Sequence, residues 1–337
     1  MALKKDTKGT IIFISFNLMV VLIFLAFLEI LLWFQYSNPS KIPSFAKKAF
    51  TSYYSQVGRN TIQVEAACAQ YDPELFYLLK PGFCTFENIE FSTPVEINQM
   101  GLRDSDKALG SPEIIFLGDS FTMGWGVNQN EAFPQLVKAT GKRALNAGVS
   151  SFGTVREMIL LKSIAKDSLK TVVIQYHATD AAENSEFIRN NNVLPVSTKA
   201  RYDSLCQAYK HDKRYYPGKL VGTIGRFLLR DLITNRNKDP RDFHQEAATF
   251  LEVLMNFEQL KLKKIVIFEV GSHNANTNQF INALEELVRS GEYPEHIKNA
   301  ILIRLENEFL DNDYFILDDH LNAQGHQKLA NSLLRFL

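Results

Sequence analysis

The chain has 337 residues, 46% of them apolar, enough for a sizeable core beside a membrane segment. Lys+Arg and Asp+Glu number 37 each, so the formal net charge is zero and the basic excess of a nucleic-acid binder is missing. Three cysteines without a C-x-x-C pair give no zinc knuckle.

At the N-terminus, residues 1–10 read as a short cytoplasmic tail with Lys4, Lys5 and Lys8. Ile11–Phe34 is a run of 24 residues without Lys, Arg or Asp, interrupted by Ser15, Asn17 and Glu29. At about 1.5 Å per residue it spans a hydrocarbon core of about 30 Å. Trp33 and Tyr36 sit where an aromatic belt lies. A cleaved signal has a shorter apolar region and a small-residue cleavage site, which Phe27-Leu28-Glu29-Ile30 does not offer. The run is therefore expected to be an uncleaved, single-pass anchor in the cytoplasmic membrane. The lysines before it outweigh Lys41, Lys47 and Lys48 after it once the free amine is counted. The positive-inside rule then puts the bulk of the chain outside the cytoplasm, in the periplasm if the cell is Gram-negative. Glu29 inside the span either meets a partner helix or snorkels to the interface.

Residues 35–111 read as an extracytoplasmic lead-in with short strand-like pieces such as Val95-Glu96-Ile97. Cys68 and Cys84 either pair or remain buried thiols. The oxidising compartment favours the disulfide, worth about 3 kcal/mol in the loop-entropy model. Cys206 is left over and expected to be buried.

From Pro112 apolar runs alternate with helical stretches. The runs are Ile114–Leu117, Ala144–Ala147, Thr171–Tyr176, Ile265–Val270 and Tyr314–Leu317. Amphipathic segments lie around Glu131–Thr140, Val155–Lys166, Ala247–Leu260, Gln279–Ser290 and Ala323–Phe336. The pattern predicts an α/β fold over residues 112–337, a five-stranded parallel sheet between two layers of helices. Residues 185–245 interrupt it with a local excess of six positive charges, from Lys199 to Arg236 and Lys238 against acids such as Asp239. An amphipathic helix is expected around Gly222–Leu229. This insertion reads as a lid, as a surface for anionic lipid or glycan, or as a plain solvated insertion.

The chemistry centres on Ile114-Ile115-Phe116-Leu117-Gly118-Asp119-Ser120-Phe121-Thr122. A buried strand ends at Gly118, and Ser120 follows near a helix N-terminus, where free N–H groups favour a developing negative charge. Thr122 stands where the G-x-S-x-G elbow needs glycine, so that motif is absent. A serine nucleophile needs a base, and the base needs an acid. In Leu317-Asp318-Asp319-His320 the histidine follows the expected fifth strand, and Asp318 or Asp319 is placed to orient it. His326, six residues on, reads as structural.

These two segments resemble the blocks of the SGNH (GDSL-type) hydrolases, in particular membrane-anchored bacterial members. The resemblance runs from Pro112 to Leu337, and the first block continues as Met123-Gly124-Trp125-Gly126-Val127. It implies a flavodoxin-like SGNH fold, Ser120 as nucleophile, His320 as base and Asp318 as its orienter, with Asp119 and Asp319 in support. The family often has its acid three residues before the histidine, where this chain has Leu317. Asn98-Gln99-Met100-Gly101-Leu102-Arg103-Asp104 resembles an N-x-x-G-x-R-D segment of anchored members. We read it as structural, with Gly101 in a turn and Arg103 in an ion pair. Two middle blocks depart from the family. In Asn146-Ala147-Gly148-Val149-Ser150-Ser151-Phe152-Gly153 the oxyanion-hole glycine is matched by Ser151, with Gly153 in support. In Gln175-Tyr176-His177-Ala178-Thr179-Asp180 the donor asparagine is matched by Thr179, and the adjacent His177 is a candidate to compensate. The oxyanion hole is thus expected from Ser120, Ser151 and Thr179.

The resulting expectation is an extracytoplasmic serine esterase or deacylase, acting on an acylated small molecule, lipid or glycan such as an O-acetyl ester. It calls for no metal and no cofactor; its partners are its substrate and the membrane, with no nucleic acid. Two alternatives stand beside it: an acyltransferase to a glycan, and a catalytically attenuated binding module on the same fold.

Overall fold

The computed structural model describes residues 7–233, 241–272 and 277–337. Lys4, Lys5, Arg236, Lys238 and Asp239 lie outside the described residues. In chain order the elements begin with α1 (Thr7–Tyr36) and α2 (Ser44–Tyr53). Strands β1 (Ala69–Asp72), β2 (Phe76–Leu79), β3 (Gly82–Asn88), β4 (Phe91–Ile97) and β5 (Ile114–Leu117) follow, then α3 (Ser120–Met123) and α4 (Phe133–Ala139). Next come β6 (Ala144–Asn146), α5 (Thr154–Ile164), β7 (Thr171–Tyr176), α6 (Asp180–Arg189), α7 (Lys199–Asp212), α8 (Lys219–Ile233) and α9 (Phe243–Met255). The chain closes with β8 (Lys264–Glu269), α10 (Gln279–Ser290), α11 (Glu295–Lys298), β9 (Ile301–Ile303) and α12 (Ala323–Leu334).

The chain divides into two compact units. One takes residues 7–59 and 210–233, the other 60–209 together with the described residues from 241 onward. The larger unit holds a parallel sheet in the order β6-β5-β7-β8-β9. Every residue of β5, β6 and β7 is buried. Such strands read as continuous apolar runs because helices cover both faces. One core layer joins Ile115, Leu117, Val172 and Ile174 to Val155, Phe250 and Phe280. The other joins Phe116, Val173, Val266 and Phe268 to Phe133 and Leu329. The expected three-layer α/β/α fold with a five-stranded parallel sheet is present. Counted along the chain, the order is 2-1-3-4-5, so the chain reverses direction across the sheet between β5 and β7, the usual place for a ligand crevice.

The fifth strand is not the expected one. It is Ile301–Ile303, and Tyr314 makes only an isolated bridge to Leu321. The reason lies in the backbone donors of the Tyr314–Leu317 run. The N–H groups of Ile316, Leu317 and Asp318 all donate to the Glu90 carboxylate, at 2.7, 2.8 and 2.9 Å. Those donors are taken by a side chain, so no neighbouring strand is needed to satisfy them.

The lead-in packs as part of the larger unit from residue 60 onward. Its hairpin β3–β4 places Phe86, Val95 and Ile97 in one cluster with Ile62, Cys68, Met123 and Trp125. Cys68 and Cys84 are disulfide-bonded. Cys206 is half-buried on α7 rather than buried. Gly101 takes φ +73 in the expected turn. Arg103, however, makes no ion pair with a carboxylate among the described residues. Its guanidinium is buried and donates to the carbonyls of Met123, Gly124 and Val127 and to Gln129 Oε1. Burial holds it down at about 10. It staples the loop after α3, so the segment is structural by another route.

In the smaller unit, α1 is long and apolar enough to cross a membrane, by length and composition. A signal sequence meets the same test. Of the two readings of Glu29, the partner helix holds, and it is a helix of the same chain: the carboxylate accepts from the N–H groups of Leu220 and Val221, at 3.1 and 2.9 Å, and from the Tyr215 hydroxyl at 3.1 Å. It thereby caps α8, the amphipathic helix expected around Gly222–Leu229, whose first N–H groups have no partner within the helix.

Candidate active site

Ser120 is placed by the sharp exit from β5. At Gly118 a side chain would strike Thr122 Oγ1 and Gln175 Oε1, so only glycine lets the strand turn there. Gln175, on β7, accepts from the Asp119 N–H at 3.0 Å and from the Thr122 hydroxyl at 3.1 Å. Asp119 caps the next turn by accepting from the Phe121 N–H at 2.9 Å. The expected helix at Ser120 is a single turn, Ser120–Met123, so its summed dipole is small and the individual N–H groups matter instead.

Ser120 Oγ lies 2.6 Å from His320 Nε2. His320 Nδ1 lies 2.5 Å from Asp318 Oδ1, and the His320 backbone N–H donates to the same oxygen at 3.1 Å. Asp319 stands farther off, at 3.5 Å, with its side chain 49% exposed against 0% for Asp318. Sequence spacing left these two acids open, and geometry separates them. His320 sits in a loop closed by the Phe315 N–H to His320 carbonyl bond at 3.1 Å and by the bridge between Tyr314 and Leu321.

Three residues that sequence reasoning left without a role complete this half of the site. Trp125 donates its indole N–H to Asp318 Oδ2 at 3.0 Å and stacks on the His320 ring, centroids 4.9 Å apart at 20°. Phe121 lies against the same imidazole at 4.7 Å. Glu90 holds the backbone just before the acid. Trp125 stands in the first family-like block, but nothing local marks Glu90, which is 228 residues from Asp318.

On the opposite side, Ser151 has φ +59, the left-handed conformation that a glycine would adopt without strain. Among the described residues, no hydrogen bond engages the backbone N–H of Ser120 or of Ser151. Ser151 Oγ accepts from Gln63 at 3.3 Å. Gly153 is the N-cap of α5 and lies against the Glu183 carboxylate, which accepts from the Arg156 N–H at 3.1 Å. Thr179 precedes α6, and its hydroxyl lies 2.7 Å from His177 Nδ1. The Thr179 N–H also donates to that nitrogen, at 3.3 Å. His177 Nδ1 is 3.8 Å from Asp119 Oδ2, and its ring lies 5.8 Å from that of Phe121. The predicted site residues thus follow the carboxyl ends of β5, β6 and β7 or lie on the His320 loop.

Beneath them is a buried acidic group. Asp180 Oδ2 accepts from the His177 N–H at 3.2 Å and from the Thr154 hydroxyl at 3.3 Å. Glu157 is wholly buried, and neither carboxyl oxygen has a hydrogen-bond partner among the described residues. Burial first pushes both carboxyls well above the usual carboxylate range, helped at Glu157 by the charges of Asp180 and Asp119 and at Asp180 by that of Asp119.

No family model matches the chain, and no curated protein matches it. Solved structures do. The crystal structure of TesA is 11% identical, covering 66% of this chain and 96% of that one at a TM-score of 0.34. A G-D-S-L family protein from Desulfitobacterium hafniense DCB-2 is 12% identical, covering 66% and 98% at 0.34. A two-domain esterase active on acetylated mannans is 12% identical, covering 68% of this chain and 50% of that one at 0.38. The sheet order itself stands on the chain's own strand pairing. With that order, its Gly118-Asp119-Ser120 block and its Asp318-Asp319-His320 block, the chain is similar to the SGNH (GDSL-type) hydrolases.

Proposed function

We propose that the chain is a membrane-anchored, extracytoplasmic serine esterase or deacylase acting on an acyl ester, with O-acetyl groups on a glycan as one substrate class. The observation that carries this reading is the continuous line from Ser120 Oγ through His320 to Asp318, with contacts of 2.6 and 2.5 Å. Ser120 Oγ attacks the ester carbonyl carbon while His320 Nε2 takes its proton. Asp318 accepts from Nδ1–H, fixes the tautomer and stabilises the imidazolium. The oxyanion is met by the N–H groups of Ser120 and Ser151. As the tetrahedral intermediate collapses, His320 returns the proton to the leaving alcohol and an acyl-enzyme remains. Water, deprotonated by the same imidazole, then releases the acid and restores Ser120.

At the third donor position two side chains meet, Thr179 and His177. The Thr179 N–H donates to His177 Nδ1, which is the arrangement of a neutral imidazole carrying its proton on Nε2. The Nε2–H is then a donor in place of the family's asparagine. The N-terminal helix α1 supports the anchor, and its Lys8 flank supports the extracytoplasmic orientation. Acyl transfer to a glycan hydroxyl uses the same acyl-enzyme and differs only in the acceptor.

The test is labelling by a fluorophosphonate probe. Wild-type protein should form one adduct, at Ser120, and Ser120→Ala and His320→Ala should each lose it together with hydrolysis of short p-nitrophenyl esters. Folded wild-type protein that takes no label would overturn the enzymatic reading. That outcome would favour an attenuated binding module, the reading motivated by the hydrogen bond between Thr179 and His177.

A further inference from the structure

We infer that α2 and α8 form an interfacial collar in the anionic headgroup layer of the membrane that α1 crosses. The inference rests on the anchor reading of α1. Its first support is the capping of α8 by Glu29. Glu29 lies five residues before Phe34, the end of the apolar run, so about 7 Å inside it at about 1.5 Å per residue. The N-terminus of α8 is therefore held at the depth where hydrocarbon gives way to headgroups. A carboxylate at that depth is costly unless it is satisfied, and here three donors satisfy it.

The second support is the face left over. Helix α8 packs on α1 and α2, and buries Leu220, Ile224 and Phe227. Helix α2 buries Ala46, Ala49, Phe50 and Tyr53. Large apolar groups remain exposed around this contact: Phe45 at 83%, Leu229 at 61% and Tyr216 at 58%, beside Tyr215, whose hydroxyl donates to Glu29. Cations stand among them, with Lys47, Lys48, Arg214 and Arg226 exposed and the Arg230 guanidinium over the Phe227 ring at 4.8 Å. Exposed Leu, Phe and Tyr mixed with Lys and Arg is the composition of a surface lying in a membrane interface. The exposed apolar wall of α1 itself needs lipid. The occupant that fits both is the anionic bilayer surface.

The experiment uses the full chain in phosphatidylglycerol–phosphatidylcholine vesicles, with an environment-sensitive fluorophore on single cysteines in a Cys206→Ser background. Labels at Leu229→Cys and Phe45→Cys should shift blue, and lipids spin-labelled near the headgroup should quench them about twofold more strongly than lipids spin-labelled at the acyl-chain terminus. Replacing phosphatidylglycerol with phosphatidylcholine should weaken that quenching, and quenching indifferent to lipid charge overturns the role of the cations. Glu29→Ala should lower the quenching at position 229 while the protein stays membrane-bound, and unchanged quenching overturns the clip. Retention through an alkaline carbonate wash reports the anchor separately. Loss in the wash overturns the anchor and the collar together. Retention with quenching at 229 no stronger from the headgroup label than from the acyl-terminal label overturns the collar alone.

Discussion

The indole N–H of Trp125 donates to Asp318 Oδ2 at 3.0 Å while the indole face stacks on His320, 4.9 Å between centroids. One side chain therefore positions both the acid and the base. Trp125 is held in turn by the lead-in, with the Phe86 ring 4.8 Å away. Replacing Trp125 with Phe keeps most of the stack and removes the bond. A hydrogen bond to a charged group contributes about 1.5–3 kcal/mol, so kcat should fall about 10- to 100-fold. KM should change little. A steady-state titration of ester hydrolysis checks this, and an unchanged kcat would leave Trp125 as packing only.

The two acids beside His320 should behave very differently. Asp318 is buried against the imidazole, so Asp318→Asn loses the acceptor that sets the tautomer and should cost about 10⁴ in kcat. Asp319 is 49% exposed, and exposed pairs are worth about 0–1 kcal/mol, so Asp319→Asn should stay within about fivefold of wild type. Equal losses in the two variants would reject Asp318 as the dedicated orienter.

At the third donor position, Thr179→Asn should restore a long amide donor. One such donor is worth about 10²–10³ in turnover, which bounds the gain. His177→Ala in the natural background should lower kcat, and in the Thr179→Asn background it should matter less. A rate that ignores both substitutions would place neither residue at the oxyanion.

Ser151 carries a side chain at φ +59, at a cost of about 1 kcal/mol relative to glycine. Ser151→Gly keeps the backbone N–H and removes the strain. Melting temperature should rise by about 2–4 °C, with kcat preserved or higher. Calorimetry beside the kinetic assay checks this, and a lower melting temperature would show that the bond from Gln63 outweighs the strain.

Glu157 has a raised carboxyl, so it holds its proton in the folded protein where the unfolded chain has lost it. Between the ordinary carboxylate range and the raised value the folded state binds more protons. Stability must then fall as pH rises through that window. Glu157→Gln cannot ionise and should flatten this dependence, gaining most at alkaline pH. Denaturant midpoints measured from pH 5 to pH 9 decide it; parallel curves for the two proteins would show that Glu157 titrates normally.

Chain-local chemistry was legible in the residues alone. An apolar run of membrane length, buried parallel strands with helical intervals, a serine after a strand-ending glycine, and a histidine with acids one and two residues before it are all short-range patterns. Their meaning is set by backbone geometry and burial within a few residues. Long-range partners were not legible. The last strand was misplaced because Glu90, far upstream, takes the N–H groups of Ile316–Asp318. Arg103 was expected on a carboxylate, yet the folded loop after α3 offers it carbonyl oxygens instead.

By itself, the sequence determined that a serine would stand at the carboxyl edge of a parallel sheet, because strand and helix periodicity follow from the local pattern; His320 was marked by its two neighbouring acids, although the strand expected before it is absent. The tertiary structure alone decided which aspartate serves that histidine, since burial beneath Trp125 is a property of the packed hairpin and not of spacing. It also decided that Ser151 takes a glycine's backbone conformation. And it gave Glu29 its partner in α8, since a carboxylate in an apolar helix must find donors and the chain brings them from about 190 residues away only when folded.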